Sequence, residues 1–220
     1  MKRFCVWLLA LCLLPVAAWA EQKSGGYVEG IEYQRITPPV QTNVPPGKVQ
    51  VVEAFWYGCP HCYHFEPYLQ KWLQHKPANV VFERVPAQLN PGWSIGARVY
   101  YTEEALGILD KAHDAVFDAI HRDRTLLPDN PQAFAKFFAD KFGIDQNKFM
   151  EVYNSFAVDV KVAHAKKLVQ AYGINGVPSV IVAGKYRTDG SMAGGSFENL
   201  LKIVNYLVEK ESAAKASSGQ

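Results

Sequence analysis

The sequence predicts an α/β chain whose sheet-forming part is interrupted by an inserted all-helical block. Three stretches carry this reading. Val49 to Trp56 is β-branched and aromatic, turns helical at Cys59, and is followed by a second strand-like run at Val80–Val85. Strand, helix and strand within about forty residues make a βαβ unit, whose strands are expected to pair in parallel. From Leu89 to about Ala165 helical periodicity dominates, and strand signal returns at Ser179.

The chain opens with Lys2 and Arg3, an apolar run from Phe4 to Val16, and Ala18-Trp19-Ala20 ahead of Glu21. A positive start, a short apolar core and a small-x-small site are the parts of a secretory signal peptide, so residues 1–20 are expected to be removed near Ala20. The apolar run, broken by Pro15, is short for a membrane anchor, and bulky Leu11 before Cys12 argues against a lipoprotein site. Cys5 and Cys12 then leave with the leader, and Cys59 and Cys62 are the cysteines of the mature chain. Two of the 23 basic residues lie in the leader, which leaves 21 against 21 acidic ones. A charge near zero argues against nucleic acid or an anionic membrane surface as the main partner. Export implies an oxidising compartment. A mature chain of about two hundred residues has no need of a staple for its core, which tilts the lone cysteine pair toward function.

Glu21–Gly30 reads as a polar, mobile lead-in and Ile31–Ile36 as a short strand. Thr37–Lys48, with four prolines, is a loop. The helix from Cys59 carries Phe65, Leu69, Trp72 and Leu73 at helical spacing and stops at Pro77. In the helical block, Ala97, Tyr100, Tyr101 and Ala105 share one face. Asn130-Pro131 reads as an N-cap and first helical position, closed by Gly143, and Asp145 caps the next helix. A helix through Val162, Leu168 and Val169 ends near Gly173. Ser179–Val182, a turn at Ala183-Gly184-Lys185, and Tyr186–Thr188 follow as strand, turn and partner strand. Ser196 caps a last helix with Leu200, Leu201, Val204 and Leu207 inward, and the tail from Ser212 reads as frayed. The expected domains are 21–88 with 166–220, and an inserted 89–165.

Cys59 and Cys62 stand at i and i+3 on the first turn of a helix, where their sulfurs can meet as a disulfide. The free N–H groups of that turn and the positive end of the helix dipole favour a thiolate at Cys59. His61 can add a positive charge or a hydrogen bond in the same place. A stabilised thiolate favours the reduced form, so the Cys59-Cys62 disulfide becomes a strong electron acceptor. Zinc would need four ligands, with only His61 or His64 to join the two cysteines. Covalent haem needs a histidine after the second cysteine, where Tyr63 stands. A purely structural bridge over so short a loop removes little chain entropy. The redox reading prevails, with no metal and no cofactor expected.

Two further residues matter. Gly176-Val177-Pro178-Ser179 between a helix and a strand is consistent with a cis Val177-Pro178 bond, which would leave the Val177 main chain free to pair with an extended peptide. Glu53 is a carboxylate inside an apolar strand, costly unless paired or protonated. It either faces solvent or pairs with a base such as Arg84, or it relays the proton of Cys62.

The run Val52-Glu53-Ala54-Phe55-Trp56-Tyr57-Gly58-Cys59-Pro60-His61-Cys62-Tyr63-His64-Phe65-Glu66-Pro67, the helical insertion and Gly176-Val177-Pro178 together resemble the DsbA family. These are bacterial periplasmic thiol:disulfide oxidoreductases of thioredoxin-like fold, a mixed central sheet flanked by helices. The family is itself a standard example of an acidic cysteine and an oxidising dithiol. A thioredoxin would instead carry Gly-Pro between its cysteines and no helical insertion. The resemblance implies that Cys59 is the exposed nucleophile and Cys62 its buried partner, with Pro60 and His61 tuning Cys59. Val177 and Pro178 would face the pair as a cis-proline loop, beside a shallow apolar groove at the domain junction. Reduced, unfolded exported proteins would be the substrates, a DsbB-type quinone-linked inner-membrane oxidase would restore the disulfide, and a monomer is expected. The family's lysine partner for the buried glutamate has no obvious counterpart. Arg84 lies closest, and an arginine does not give up its proton. The alternatives are a disulfide isomerase or reductase and, outside enzymes, a zinc-binding or chaperone module.

Overall fold

Strand β2 (Val49–Phe55) is the sheet's anchor because every one of its seven residues is buried, as expected of a strand covered on both faces. The computed structural model describes residues 26–218, so the leader and its two cysteines lie outside the described residues. β2 pairs in parallel with β3 (Val80–Pro86), in register Glu53 to Arg84, and antiparallel with β4 (Ser179–Val182). β5 (Tyr186–Asp189) follows β4, and the two-residue β1 (Gln34–Arg35) closes the edge, in the order β1-β5-β4-β2-β3. The sheet is mixed, as the resemblance implied. Only Gln34–Arg35 of the expected strand at 31–36 joins it.

Side chains of β2 alternate between the two faces. Val49 and Val51 pack with Phe65 and Leu69 of α1 (Pro60–His75) and with Leu200, Val204 and Leu207 of α7 (Phe197–Ser218). Val52 and Ala54 pack on the other face with Ala165 and Val169 of α6 (Phe156–Ala171). Glu53 and Phe55 therefore project to the same side as α1. Between β3 and β4 run a short 3₁₀ turn at Pro91–Trp93, then α2 (Ser94–Ala105), α3 (Leu109–His121), α4 (Pro131–Phe142), α5 (Gln146–Tyr153) and α6. α6 runs through the boundary expected at 165/166. The third core gathers Phe55, Tyr57, Cys59 and Cys62 with Val116, Phe117, Phe134, Phe138 and Phe149, so the cysteine pair is packed against the helical insertion itself.

The expected caps form. Asn130 accepts from the N–H groups of Gln132 and Ala133, Gly143 closes α4 at φ 69°, and the side chains of Asp145 and Ser196 cap α5 and α7. Three expectations are corrected. In α2 the inward face carries Ala97, Tyr100, Thr102 and Glu103, while Ala105 is exposed. α7 does not fray at Ser212: Glu211 is buried on Lys185, 2.7 Å away, and Ser212 accepts from Asn79, so the helix runs to Ser218. The lead-in is anchored where it is described, with Tyr27 donating to Asn199 and packing edge-on against Tyr206.

Candidate active site

Cys59 is the N-cap of α1 and Pro60 its first helical residue, a position where the missing proline N–H costs nothing. The pair is held as two free thiols. Cys59 is 8% exposed and Cys62 fully buried, so Cys59 is the more accessible of the two but is not an exposed residue. The Cys59 thiol falls from an ordinary 9.0 to about 6, first because the Cys62 side chain donates to it, then because the N–H groups of Cys62 and His61 point at it, with the His61 charge last. Burial, the hydrogen bond given to Cys59 and the negative charges of Cys59 and Glu53 push Cys62 well above its usual value. The two thiols are thus driven apart: one ionises near neutrality and the other keeps its proton. His61 contributes less than the main chain.

The Val177-Pro178 peptide is cis, and the Val177 carbonyl accepts from Cys59 Sγ at 3.5 Å. That carbonyl therefore faces the cysteine rather than standing wholly free. A second cis bond, Thr37-Pro38, was not anticipated. Two depressions flank the first turn of α1. One, about 430 Å³, is lined by His61, Gly176, Val177, Pro178 and Phe197 and lies within the sheet-bearing part. The other, about 460 Å³, lies between Pro60, Tyr63 and His64 of α1 and His121, Leu126 and Leu127 of the insertion, which is the junction expected to hold a groove.

The turn into the helix is braced by aromatic rings. Trp56 stacks on Trp93 at 4.3 Å and 6°, and Gly58 is required there because a Cβ would come within 2.4 Å of the Trp56 ring. His121 Nε2 donates to the Tyr57 carbonyl at 2.8 Å, with its ring stacked on Tyr63.

Beneath Cys62, Glu53 is fully buried and paired, not turned to solvent. Arg84 Nε donates to its Oε2 at 3.0 Å, while Arg84 Nη2 donates to Glu66 Oε2 at 2.9 Å. One guanidinium therefore serves two carboxyls. Burial and the charge of Glu66 outweigh Arg84 at Glu53 and raise it to about 8. Burial also raises Glu66, but the hydrogen bond from His113 and the Arg84 charge prevail and hold it below its usual value. The close Arg84–Glu53 contact does not by itself make Glu53 the ionised partner; Glu66, with Arg84, His113 and Gln70 donating to it, is. Glu66, His113 and Asp114 could each turn a ligand atom inward, yet Glu66 already spends both oxygens on Arg84 and His113.

Sequence reasoning missed Glu66, His113, Tyr57 and Glu103. A signal existed for Glu66, a carboxylate one turn after Cys62 on the otherwise apolar inward face of α1.

A thioredoxin-type sheet with a dithiol at the first turn of its leading helix, facing a cis-proline loop, defines a thiol–disulfide redox protein. Residues 85–202 match the family of DSBA-like thioredoxin domains. The chain is 46% identical over 202 residues to the thiol:disulfide interchange protein DsbA of Pseudomonas aeruginosa, covering 92% of each chain. It is 48% identical over 177 residues to that of Azotobacter vinelandii, covering 79% of this chain and 81% of that one. The crystal structure of Pseudomonas aeruginosa DsbA superposes with a TM-score of 0.78 at 45% identity, over 86% of this chain and 96% of that one. The Xylella fastidiosa oxidoreductase DsbA does so with 0.78 at 33% identity, over 85% and 98%. The chain belongs to the DsbA family.

Proposed function

We propose that this protein is a periplasmic thiol:disulfide oxidoreductase that donates its Cys59-Cys62 disulfide to newly exported proteins. A substrate thiolate attacks Cys59 Sγ, the Cys59–Cys62 bond breaks, and Cys62 leaves as a thiolate that takes up a proton. A second substrate thiolate then attacks the substrate sulfur of the mixed disulfide. It forms the new substrate disulfide and releases Cys59 as a thiolate. Two electrons pass from substrate to the cysteine pair, and a DsbB-type quinone-linked oxidase of the inner membrane removes them. The observation that carries this reading is the lowered Cys59 thiol beside a fully buried, raised Cys62. A stable leaving thiolate at Cys59 drives electrons toward the protein.

In this reading Pro60 and His61 shape the first turn around Cys59, and Val177 and Pro178 present the main chain to an extended substrate strand. The depressions on either side of the turn receive flanking side chains. Glu53 exchanges a proton with Cys62. Residues 21–88 with 166–220 act as the redox unit and 89–165 as its helical cover, in a monomer. Among the described residues no helix is long and apolar enough to cross a membrane, which fits a chain released after cleavage near Ala20.

Equilibration with glutathione buffers, followed by Trp56 fluorescence, tests the direction of electron flow. The expected potential is far more oxidising than that of thioredoxin; one as reducing as thioredoxin's overturns the oxidase reading. Cys59→Ser is expected to abolish oxidation of reduced peptides.

A further inference from the structure

The polar chain under Cys62 does not end at Arg84. From Glu66 it passes through the buried His113, whose Nε2 is 3.2 Å from Glu66 Oε1. His113 Nδ1 is 2.9 Å from the Tyr57 hydroxyl, and that hydroxyl is 2.6 Å from Glu103 Oε2. All four side chains are buried, and they join α1 and the end of β2 to α2 and α3 of the insertion.

Counting protons fixes who donates. The Tyr57 hydroxyl has one proton and two close partners, so one partner must donate to it. Burial keeps His113 neutral despite Glu66, and only an Nε2–H can donate to Glu66, which leaves Nδ1 bare to accept from Tyr57. Glu103 must then be the donor to Tyr57, and hence protonated. Its burial, which raises it to about 8, agrees. Glu103 Oε1 and Glu53 Oε1 are both buried without a hydrogen-bond partner, which a neutral carboxyl tolerates far better than a carboxylate.

We propose that Glu103, Tyr57 and His113 form a line that passes one proton to and from Glu66 and, through Arg84, sets whether Glu53 is charged when Cys62 gains or loses its own. The step balances. Glu103 gives its proton to the Tyr57 oxygen, Tyr57 gives its proton to His113 Nδ1, and the Nε2 proton goes to Glu66 Oε1. Glu103 ends as the carboxylate, Glu66 as the acid, and His113 as the other neutral tautomer. With Glu66 charged, Arg84 is shared and Glu53 stays protonated, ready to give a proton to the departing Cys62 thiolate. With Glu66 neutral, the Arg84 charge belongs to Glu53, which ionises and can take the Cys62 proton during reoxidation. The charged and titratable groups facing this line are Arg84 from β3, Tyr100 from α2, Asp114 beside His113, and the thiols of Cys59 and Cys62 at the start of α1. Tyr57, His113 and Glu103 are positioning residues, and the proposal rests on the oxidoreductase reading above.

The test uses the full-length mature protein. Glu103→Gln keeps a donor on Tyr57 but cannot release a proton, and Tyr57→Phe breaks the line while keeping the ring. Either change excludes the state with neutral Glu66. In each, the midpoint of the Glu53-linked bend in the pH profile of the glutathione equilibrium is expected to move up by about one unit, a tenfold change in proton affinity. The double variant is expected to move it no further, since both remove the same state. Should Tyr57→Phe fail to fold, Glu103→Gln and the nitrogen chemical shifts of His113 decide; a neutral ring protonated on Nε2 is expected in the reduced protein. A wild-type protein that is an oxidant, with both single variants keeping its pH midpoint, overturns the line and leaves the oxidase reading intact. In the resting reduced protein, an imidazolium or a ring held only as the Nδ1-protonated tautomer also overturns it. A wild type as reducing as thioredoxin removes the oxidase reading instead.

Discussion

Cys59 Sγ stands 3.5 Å from the main-chain oxygen of Val177, a residue 118 positions further along the chain. A thiol can donate to that carbonyl and a thiolate cannot, so this contact favours the protonated sulfur. The Cys62 thiol and two helix N–H groups favour the thiolate and prevail. The acidity of Cys59 is therefore decided by the first turn of α1, against the cis-proline loop opposite.

That balance makes the stability of the reduced protein depend on pH. The folded Cys59 thiol lies near 6 against an ordinary 9.0. A depressed pKa adds stability that is fully present above the unfolded value and lost as pH falls through the folded one. The disulfide form has no such thiol to titrate. Urea unfolding of both forms is expected to show the reduced protein gaining on the oxidised one from about pH 6 to about pH 9, with little change below.

His61 is the last of the causes that lower Cys59. Replacing it with Ser removes its charge but leaves the position-61 N–H and the Cys62 contacts. Thiolate absorbance titration is expected to show Cys59 rising by less than about one unit. That is about 1.4 kcal/mol, or about 30 mV toward a weaker oxidant. A larger rise would mean that the His61 side chain, not the main chain, is the principal source of acidity.

Gly58→Ala places a methyl group 2.4 Å from the Trp56 ring. Trp56 must then leave its stack on Trp93, which ties the active-site turn to the start of the insertion. A stability loss of about 1–3 kcal/mol is expected, with altered tryptophan fluorescence in the native state. Unchanged fluorescence would show that the turn yields instead of the stack.

Glu53 holds its proton more tightly folded than unfolded, at about 8 against 4.5. Such a group adds stability that is fully present below the unfolded value and lost as pH rises through the folded one. Glu53→Gln lacks this titration, so denaturation midpoints should shift in favour of the variant as pH rises from about 4.5 to about 8. A constant difference across that range would show that Glu53 is ionised throughout, with Arg84 as its full partner.

Much of the site was legible because its signals are local. The spacing of Cys59 and Cys62 at a strand–helix boundary, the Gly-Val-Pro before a strand, and a lone Glu53 in an apolar run each sit within a few residues. The caps at Asn130 and Asp145 were legible for the same reason, since a cap bonds to N–H groups two and three residues on. The inward face of α2 was not, because Thr102 and Glu103 are polar and are buried only through partners elsewhere in the chain, with Tyr57 meeting Glu103 across 46 residues. The end of α7 was hidden likewise: Ser212 reads as the start of a solvated tail until Asn79 is brought against it, next to Glu211 on Lys185.

The sequence by itself determined the dithiol, its place on the first turn of a helix and the direction of its redox bias, because these follow from short-range backbone geometry and charge. Only the tertiary structure decided which carboxyl under Cys62 keeps its proton. That depends on Arg84 being shared between Glu53 and Glu66, and on His113 and Tyr57 reaching Glu66 from the insertion. Charge in a buried cluster is set by distances among several strands and helices at once, and periodicity along one chain does not contain them.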